Sequence, residues 1–311
     1  MDNKKPTVSD TIIKKLNSYG TQAAFIPFSY MSLISEIHTT HIDNSENTPF
    51  NIKSNFNANQ PPKITFEPLS FLVIANQSPE GEICVNYKDR HISIPIPSGY
   101  LDSATRQQRI EEFDAVMKGY QYSPAWGISF KLLAVLSGLG KYGRNTLCYS
   151  DEWGSWCSFF AFYTNIPCED NGSKIVYMDD CETCGRCIKN CPTSAIGGQL
   201  AIDASRCLTM HNEFNVPLPE WISPGMHHAL FGCMRCQEVC PVNKSKPAVK
   251  KEALELNKKE TKALLSGKLP SELIRKLLDY GFIEQFISFT GRNIKLVIEA
   301  MECSETIYSL K

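Results

Sequence analysis

No run of eighteen or more apolar residues occurs in this sequence, and its opening, MDNKKPTVSD, holds no apolar segment. A membrane-spanning helix needs about twenty such residues and a secretory signal needs an apolar centre, so neither is expected, and the expected location is the cytoplasm. Charge of one sign is also lacking: 32 basic residues stand against 33 acidic ones, a net charge of −1. That balance gives no global pull towards nucleic acid, whose phosphates call for a concentrated basic footprint. Internal repetition is absent apart from one pair of cysteine runs. The chain of 311 residues, 42% hydrophobic, is long enough to bury one large core or two or three modest ones.

Cysteine is abundant, at 13 residues. In a large chain with an odd cysteine count and no signal segment, reduced thiols available to metal fit better than a disulfide framework. Eight fall into a pattern: Cys181, Cys184, Cys187 and Cys191 before Pro192, then Cys233, Cys236 and Cys240 before Pro241, with Cys207 alone between the runs. Cys84, Cys148, Cys157, Cys168 and Cys303 show no ligand spacing and are expected in the core, where free cysteine acts as a small hydrophobe.

The first run reads CxxCxxCxxxCP, the bacterial ferredoxin pattern, in which three thiolates hold one cubane cluster and the fourth reaches across to a second. Eight thiolates satisfy two [4Fe-4S] clusters with none left over. Counting favours a swapped assignment, with Cys181, Cys184, Cys187 and Cys240 on the first cluster and Cys191, Cys207, Cys233 and Cys236 on the second. Cys187 and Cys191 are four residues apart, and a chain spans at most ~3.6 Å per residue, so the clusters are expected to be close neighbours. Each proline fixes the exit direction of its run. Two structural zinc sites are the competing reading, but four thiolates lie too densely in the first run for one tetrahedron. His227 and His228 are expected beside the ligands or at the surface rather than among them.

Upstream, a helix is expected around Asp10–Tyr19, then the apolar stretch Ala23–Ser29, a polar loop over Ser45–Pro62, and strands at Phe71–Ala75 and Ile83–Tyr87 separated by the turn signal SPEG. Residues 101–119 carry a helical pattern, with Asp102 or Ser103 as N-cap and Ile110, Phe113, Val116 and Met117 on one side. A second helix, Ile128–Ser137, ends at GLGKYG, where Gly138, Gly140 and Gly143 can either let backbone approach a large flat ring or form a helix C-terminal turn. The apolar run Trp156–Tyr163 reads as scaffold and pocket wall. Beyond Pro247 a helical tail carries Leu264, Leu265, Leu273, Leu277, Leu278, Phe282, Phe286, Ile294, Val297 and Ile298. The stretch Lys244, Lys246, Lys250, Lys251, Lys258, Lys259, Lys262 and Lys268 reads as a solvated face, or more sharply as a contact for RNA or an acidic electron donor.

The order GLGKYGRNT (138–146), EWGSW (152–156), CETCGRCIKNCPTSAI (181–196), DASRCL (203–208) and FGCMRCQEVCP (231–241) resembles the epoxyqueuosine reductase family over roughly residues 128–245. That resemblance implies an α+β architecture: a nitroreductase-like, cobalamin-binding α/β domain over 1–173, a ferredoxin-like dicluster module over 174–246 and a helical C-terminal region over 247–311. It implies two [4Fe-4S] clusters and a base-off cobalamin, a relation to reductive dehalogenases, and cofactor contacts at Gly138, Gly140, Gly143, Asn145 and Ser155. Electrons would come from a low-potential donor such as ferredoxin or flavodoxin and serve reductive chemistry on a queuosine precursor in tRNA or another small group. The alternative is a cobalamin-free electron-transfer or reductive-activation protein for a corrinoid partner. A DxHxxG lower-ligand motif is absent, in keeping with cobalamin bound without a protein histidine and equally with no cobalamin.

One departure bears on the chemistry. The family carries an aspartate about fourteen residues before the first glycine of this turn, resembling a general acid; here that position is Pro124, which has no proton to give. The family's RY and DYH segments are replaced by VNYKDRHISIPIP (85–97). Tyr100, Tyr122 and Tyr142 are the tyrosines that could supply a proton instead, though each is equally expected as a packed aromatic. No catalytic residue is assigned.

Overall fold

The computed structural model describes residues 5–43, 64–101, 106–197, 202–214, 217–246 and 248–309. The expected loop over Ser45–Pro62, the expected caps Asp102 and Ser103, and Pro247 lie outside the described residues. Nine strands lie within them: β1 (Gln22–Pro27), β2 (Ser70–Gln77), β3 (Gly81–Tyr87), β4 (Arg90–Ile96), β5 (Tyr122–Pro124), β6 (Lys141–Tyr142), β7 (Cys148–Tyr149), β8 (Cys157–Thr164) and β9 (Leu254–Glu255). The chain forms two compact units, one of residues 1–77 and 105–184, the other of residues 78–104 and 185–311.

The first unit is built on an antiparallel sheet ordered β1-β2-β8-β5. The uninterrupted apolar run of β2 follows from cover on both faces. Phe71 and Val73 join a core with the helix Phe130–Leu136, and Leu72 and Ile74 join a second core with the helices Val8–Ser18 and Arg106–Met117. Thr7 and Asp10 close a capping box at the first of these helices. In the helix Arg106–Met117, Phe113, Val116 and Met117 are buried as expected, but Ile110 is exposed. The helix Phe130–Leu136 is capped by Ser129 and ends at Gly138, whose φ of +79° is the left-handed turn that favours glycine. Pro124 lies on the edge strand β5, where a missing N–H costs no ladder bond.

The second unit holds the sheet β4-β3-β9. Lys88 and Asp89, both at positive φ, turn β3 back into β4 in the manner of a two-residue hairpin. β9 pairs in parallel with β3 through two residue pairs, so the C-terminal region opens with a short strand before its helices. One sheet face, with Ile83, Val85, Ile92, Ile94, Ile96 and Leu254, packs on Leu264, Leu273, Leu277, Phe282, Phe286, Ile294, Val297 and Ile298 of the tail. Leu278 departs from the expected pattern and is exposed.

Of the five cysteines expected in the core, Cys84 and Cys148 are buried and Cys157 and Cys168 half-buried, but Cys303 is exposed. It sits on the solvent side of the helix Glu284–Ser309, where a small thiol needs no apolar neighbour.

Candidate metal centre

Short helical turns position the cysteines. Cys181 and Cys184 begin and end one turn, the left-handed Gly185 (φ +60°) reverses the chain, and Cys187 sits in the helix Arg186–Asn190. Cys191 and Cys240 each precede a proline and take extended backbone, φ −71° ψ 114° and φ −72° ψ 123°, as the steric demand of a following proline requires. Pro241 then opens the helix Pro241–Lys244, where its missing N–H is not needed. Cys207 has the same extended backbone and caps the helix Leu208–Glu213.

Within the second unit the two runs meet: the helix Arg186–Asn190 packs against the helix Arg235–Glu238. Arg206, next to Cys207, donates its Nε to the carbonyl of Thr193 at 2.9 Å and so ties the loop of Cys207 to the turn after Cys191. Cys191, Cys207 and Cys233 lie within electrostatic reach of one another. Burial pushes the Cys233 thiol up to about 12, with Cys207 and Cys191 adding to the rise and Arg235 opposing it. Burial likewise raises Cys207. For Cys191 burial is again the largest influence and acts upward, but hydrogen bonds from Thr193, Ala195 and Ile196 together outweigh it and hold the thiol below its usual range. The Ala195 N–H donates to Cys191 Sγ at 3.2 Å.

All eight thiols, those of the two runs and Cys207, are half-buried. Thiols that repel one another as anions form a stable set of thiolates when a cation neutralises them, which is the donor chemistry of iron and zinc sites. Two further observations fit a sulfur-rich anionic group. Arg235 Nε and His227 Nε2 are buried without a hydrogen-bond partner among the described residues. His227 and His228 are not at the surface; burial holds each neutral, down to about 4, and His228 Nε2 accepts from the Met234 N–H at 3.2 Å.

The glycine-rich segment lies in the first unit. A Cβ on Gly140 would strike Cys148 Sγ and one on Gly143 would lie 2.6 Å from the Tyr149 ring, so both glycines let the β6–β7 hairpin fold on itself. Asn145 is buried and donates to Tyr149 Oη at 2.9 Å, and Ser155 is buried nearby in sequence. A cleft of about 300 Å³ reaches Gly138, lined also by Asn17, Gln22, Ala23, Leu139 and Asp151, but not the other four residues. Two donors in the same segment, Arg144 Nε and Trp156 Nε1, are buried without a hydrogen-bond partner among the described residues.

The three tyrosines are packed. Tyr122 donates to Asp114 at 2.7 Å, and burial with that contact moves it up to about 12. Burial raises Tyr142, which stands against Tyr177. Tyr100 is half-buried, packs against Phe231 and Phe286 and donates to Glu213, with its pKa raised by desolvation first and by that carboxylate second. Cys207 and Cys233 add to the rise, which puts Tyr100 beside the candidate ligands, a placement the sequence did not signal. In the lysine-rich stretch Lys258 pairs with Asp89 at 2.6 Å and Lys251 donates to the Tyr280 carbonyl.

Comparison with known proteins bears on the same residues. A family model described as a 4Fe-4S double cluster binding domain matches residues 180–243, which supports two [4Fe-4S] clusters. Curated relatives named epoxyqueuosine reductase include those of Gloeobacter violaceus, 35% identical over 136 residues (43% of this chain, 42% of the relative), and Bacillus subtilis, 31% identical over 119 residues (38% and 30%). The matched segment thus spans less than half the length of either relative. Among solved structures, epoxyqueuosine reductase from Bacillus subtilis aligns with a TM-score of 0.68 at 20% identity, covering 95% of this chain and 82% of that one. Another, of epoxyqueuosine reductase with an epoxyqueuosine-modified tRNA-Tyr stem loop, gives 0.66 at 17% identity over 95% and 82%. The chain is similar to epoxyqueuosine reductases in sequence across the cysteine region and in fold across nearly its whole length, and no helix among the described residues is long and apolar enough to cross a membrane.

Proposed function

We propose that this chain is an iron-sulfur reductase in which Cys191, Cys207, Cys233 and Cys236 hold one [4Fe-4S] cluster and Cys181, Cys184, Cys187 and Cys240 the other. Such clusters supply one-electron transfer at low potential when bound. The observation that carries the reading is the gathering of Cys191, Cys207 and Cys233, from three separate segments, with the unpartnered Arg235 Nε beside Cys233. A cationic side chain near ligand sulfur tunes a cluster's potential as well as its retention. Electrons are proposed to come from a small low-potential protein such as ferredoxin or flavodoxin, in the cytoplasm.

The first unit is proposed to bind a base-off cobalamin, which would supply reductive chemistry at cobalt. Arg144 Nε and Trp156 Nε1 support this reading, because the amide carbonyls around a corrin ring are acceptors for buried donors. Asn145 and Ser155 would hold the segment in shape, and Gly138, Gly140 and Gly143 would keep side chains out of the ring's path. Near Pro124, Trp126 is 70% exposed and forms a ladder with Phe130 and Phe160, at ring separations of 5.4 and 6.0 Å, on which a flat conjugated group can stack. The proposed substrate is a queuosine precursor in tRNA or another small reducible group, with its proton delivered by something other than residue 124.

A second reading, electron transfer or reductive activation for a corrinoid partner without bound cobalamin, is favoured by the filling of Gly140 and Gly143 by the hairpin's own side chains. Anaerobic purification with metal analysis and a cobalamin binding titration separates the two. The reductase requires about eight irons per chain and cobalamin uptake near one per chain. Iron without uptake leaves the carrier reading, and about two zincs in place of iron removes both.

A further inference from the structure

The sheet β4-β3-β9 has one face against the tail helices; its other face is polar and carries a thiol, an imidazole and a carboxylate close together, outside both cysteine runs. The registers place Cys84 opposite Ser93 on one side and opposite Glu255 on the other, with His91 two residues along β4 on the same face. One thiol, one imidazole nitrogen and one carboxylate oxygen, each from a different strand, lie within 4.8 Å of one another. His91 Nε2 and Glu255 Oε2 are 2.9 Å apart.

We infer that Cys84, His91 and Glu255 form a binding site for a divalent cation of the zinc class. Thiolate with imidazole selects soft or borderline ions over calcium and magnesium, which take oxygen. Zinc bonds of ~2.0–2.3 Å at tetrahedral angles set ligand atoms about 3.3–3.7 Å apart, so the three donors need shift by only about an ångström or less to close on an ion, and water completes the tetrahedron. The scaffold is rigid where it matters, since adjacent strands are fixed at ~4.8 Å by their ladders. Burial first, and a hydrogen bond to Glu255 second, hold the Cys84 thiol above its ordinary pKa, and the ion would displace that proton to solvent. Glu82, which accepts from Ser93 at 2.8 Å, adds negative charge on the same face. Lys276, bonded to the Glu255 carbonyl at 2.8 Å, opposes it. β9 pairs with β3 through two residue pairs and the bridge Glu80–Lys250 lies just before them, so an ion here would add a side-chain tie between the start of the C-terminal region and a hairpin some 160 residues earlier.

The site stands independently of the proposed function. Its test is equilibrium dialysis of the iron-loaded protein, purified anaerobically, against zinc chloride, with zinc and iron measured in the same samples. Wild type should hold one zinc per chain beyond its iron. His91→Ala and Glu255→Gln, both at exposed positions and so safe for folding, should bind it at least ~10-fold more weakly with iron unchanged. Zinc should raise the thermal midpoint of wild type and leave that of the two variants unmoved. Equal zinc in all three proteins, or zinc that appears only as iron is lost, overturns the assignment in favour of a hydrogen-bonded His91–Glu255 pair with no ion.

Discussion

Asn293 donates its side-chain amide to the carbonyl of Leu230 at 2.8 Å, reaching from the long C-terminal helix to the segment that delivers Cys233. The same amide group donates to Asn212 O at 2.8 Å, and Asn212 passes a further bond to Gly232 O at 2.8 Å. Asn293 and Asn212 are both 1% exposed. A buried polar chain of this kind fixes one backbone path, and its loss strands acceptors that water cannot reach.

Asn293→Leu therefore leaves two buried carbonyls unpaired at ~1–3 kcal/mol each. The expected outcome is a destabilisation of about 2–4 kcal/mol, read as a lower denaturant midpoint, together with faster iron loss. A variant with wild-type stability and iron retention would mean that the loop before Cys233 is held by its apolar packing alone.

Gly291 tests the packing of the same helix. A Cβ there would meet the Leu264 carbonyl, 3.0 Å from its carbon and closer to its oxygen. Alanine in a helix interior is intrinsically better than glycine by ~1 kcal/mol, whereas forcing a helix off its neighbour costs ~1–3 kcal/mol. Backbone cannot swing aside as a side-chain tip can, so the second effect wins and Gly291→Ala is expected to destabilise. A rise in thermal midpoint would show that the two helices separate freely.

What the sequence reveals and conceals divides along the range of the interactions. The cysteine runs, the central strand β2 and the helix ending at Gly138 are written in local spacing, because ligand turns, apolar runs and caps each involve residues a few positions apart. The anchoring of Leu230 by Asn293 joins residues 63 positions apart, and Cys84 meets Glu255 through a strand of two residues, too short to carry a periodic signal. Tyr100 was legible as a tyrosine able to supply a proton or to pack, but not as a neighbour of Cys207 and Cys233. Ile110 and Leu278 are exposed, since a helical pattern marks a face without saying how far its cover extends, and Cys303 is exposed because residue type alone does not place a side chain.

His228 gives a pH dependence with a definite sign. Burial, with Arg235 next, depresses it from 6.5 to about 4. The unfolded chain takes up a proton near 6.5 and the folded one does not until about 4, so stability present above pH 6.5 is lost as pH falls through that window. The slope is at most ~1.4 kcal/mol per pH unit for this residue. Gln in place of His228 can still accept from the Met234 N–H and has no proton to gain. Denaturation of His228→Gln should therefore depend less steeply on pH between 7 and 4.5 than wild type, with iron measured at each point. Identical slopes would assign the acid sensitivity to other groups.

Cys207→Ala addresses the sharing of ligands between the two cysteine runs. Cys207 stands outside both runs, and the cysteines within its electrostatic reach include Cys191 and Cys233. If it completes only the cluster held by Cys191, Cys233 and Cys236, the variant should retain about four of about eight irons and keep the spectrum of a single cubane. Removing Cys240, assigned to the other cluster, should also halve the iron, and the double variant should hold almost none. Complete loss in Cys207→Ala alone would show that the two sites form as one cooperative unit. Full retention would show that Cys207 is a cap for the helix Leu208–Glu213 and that another donor closes the cluster.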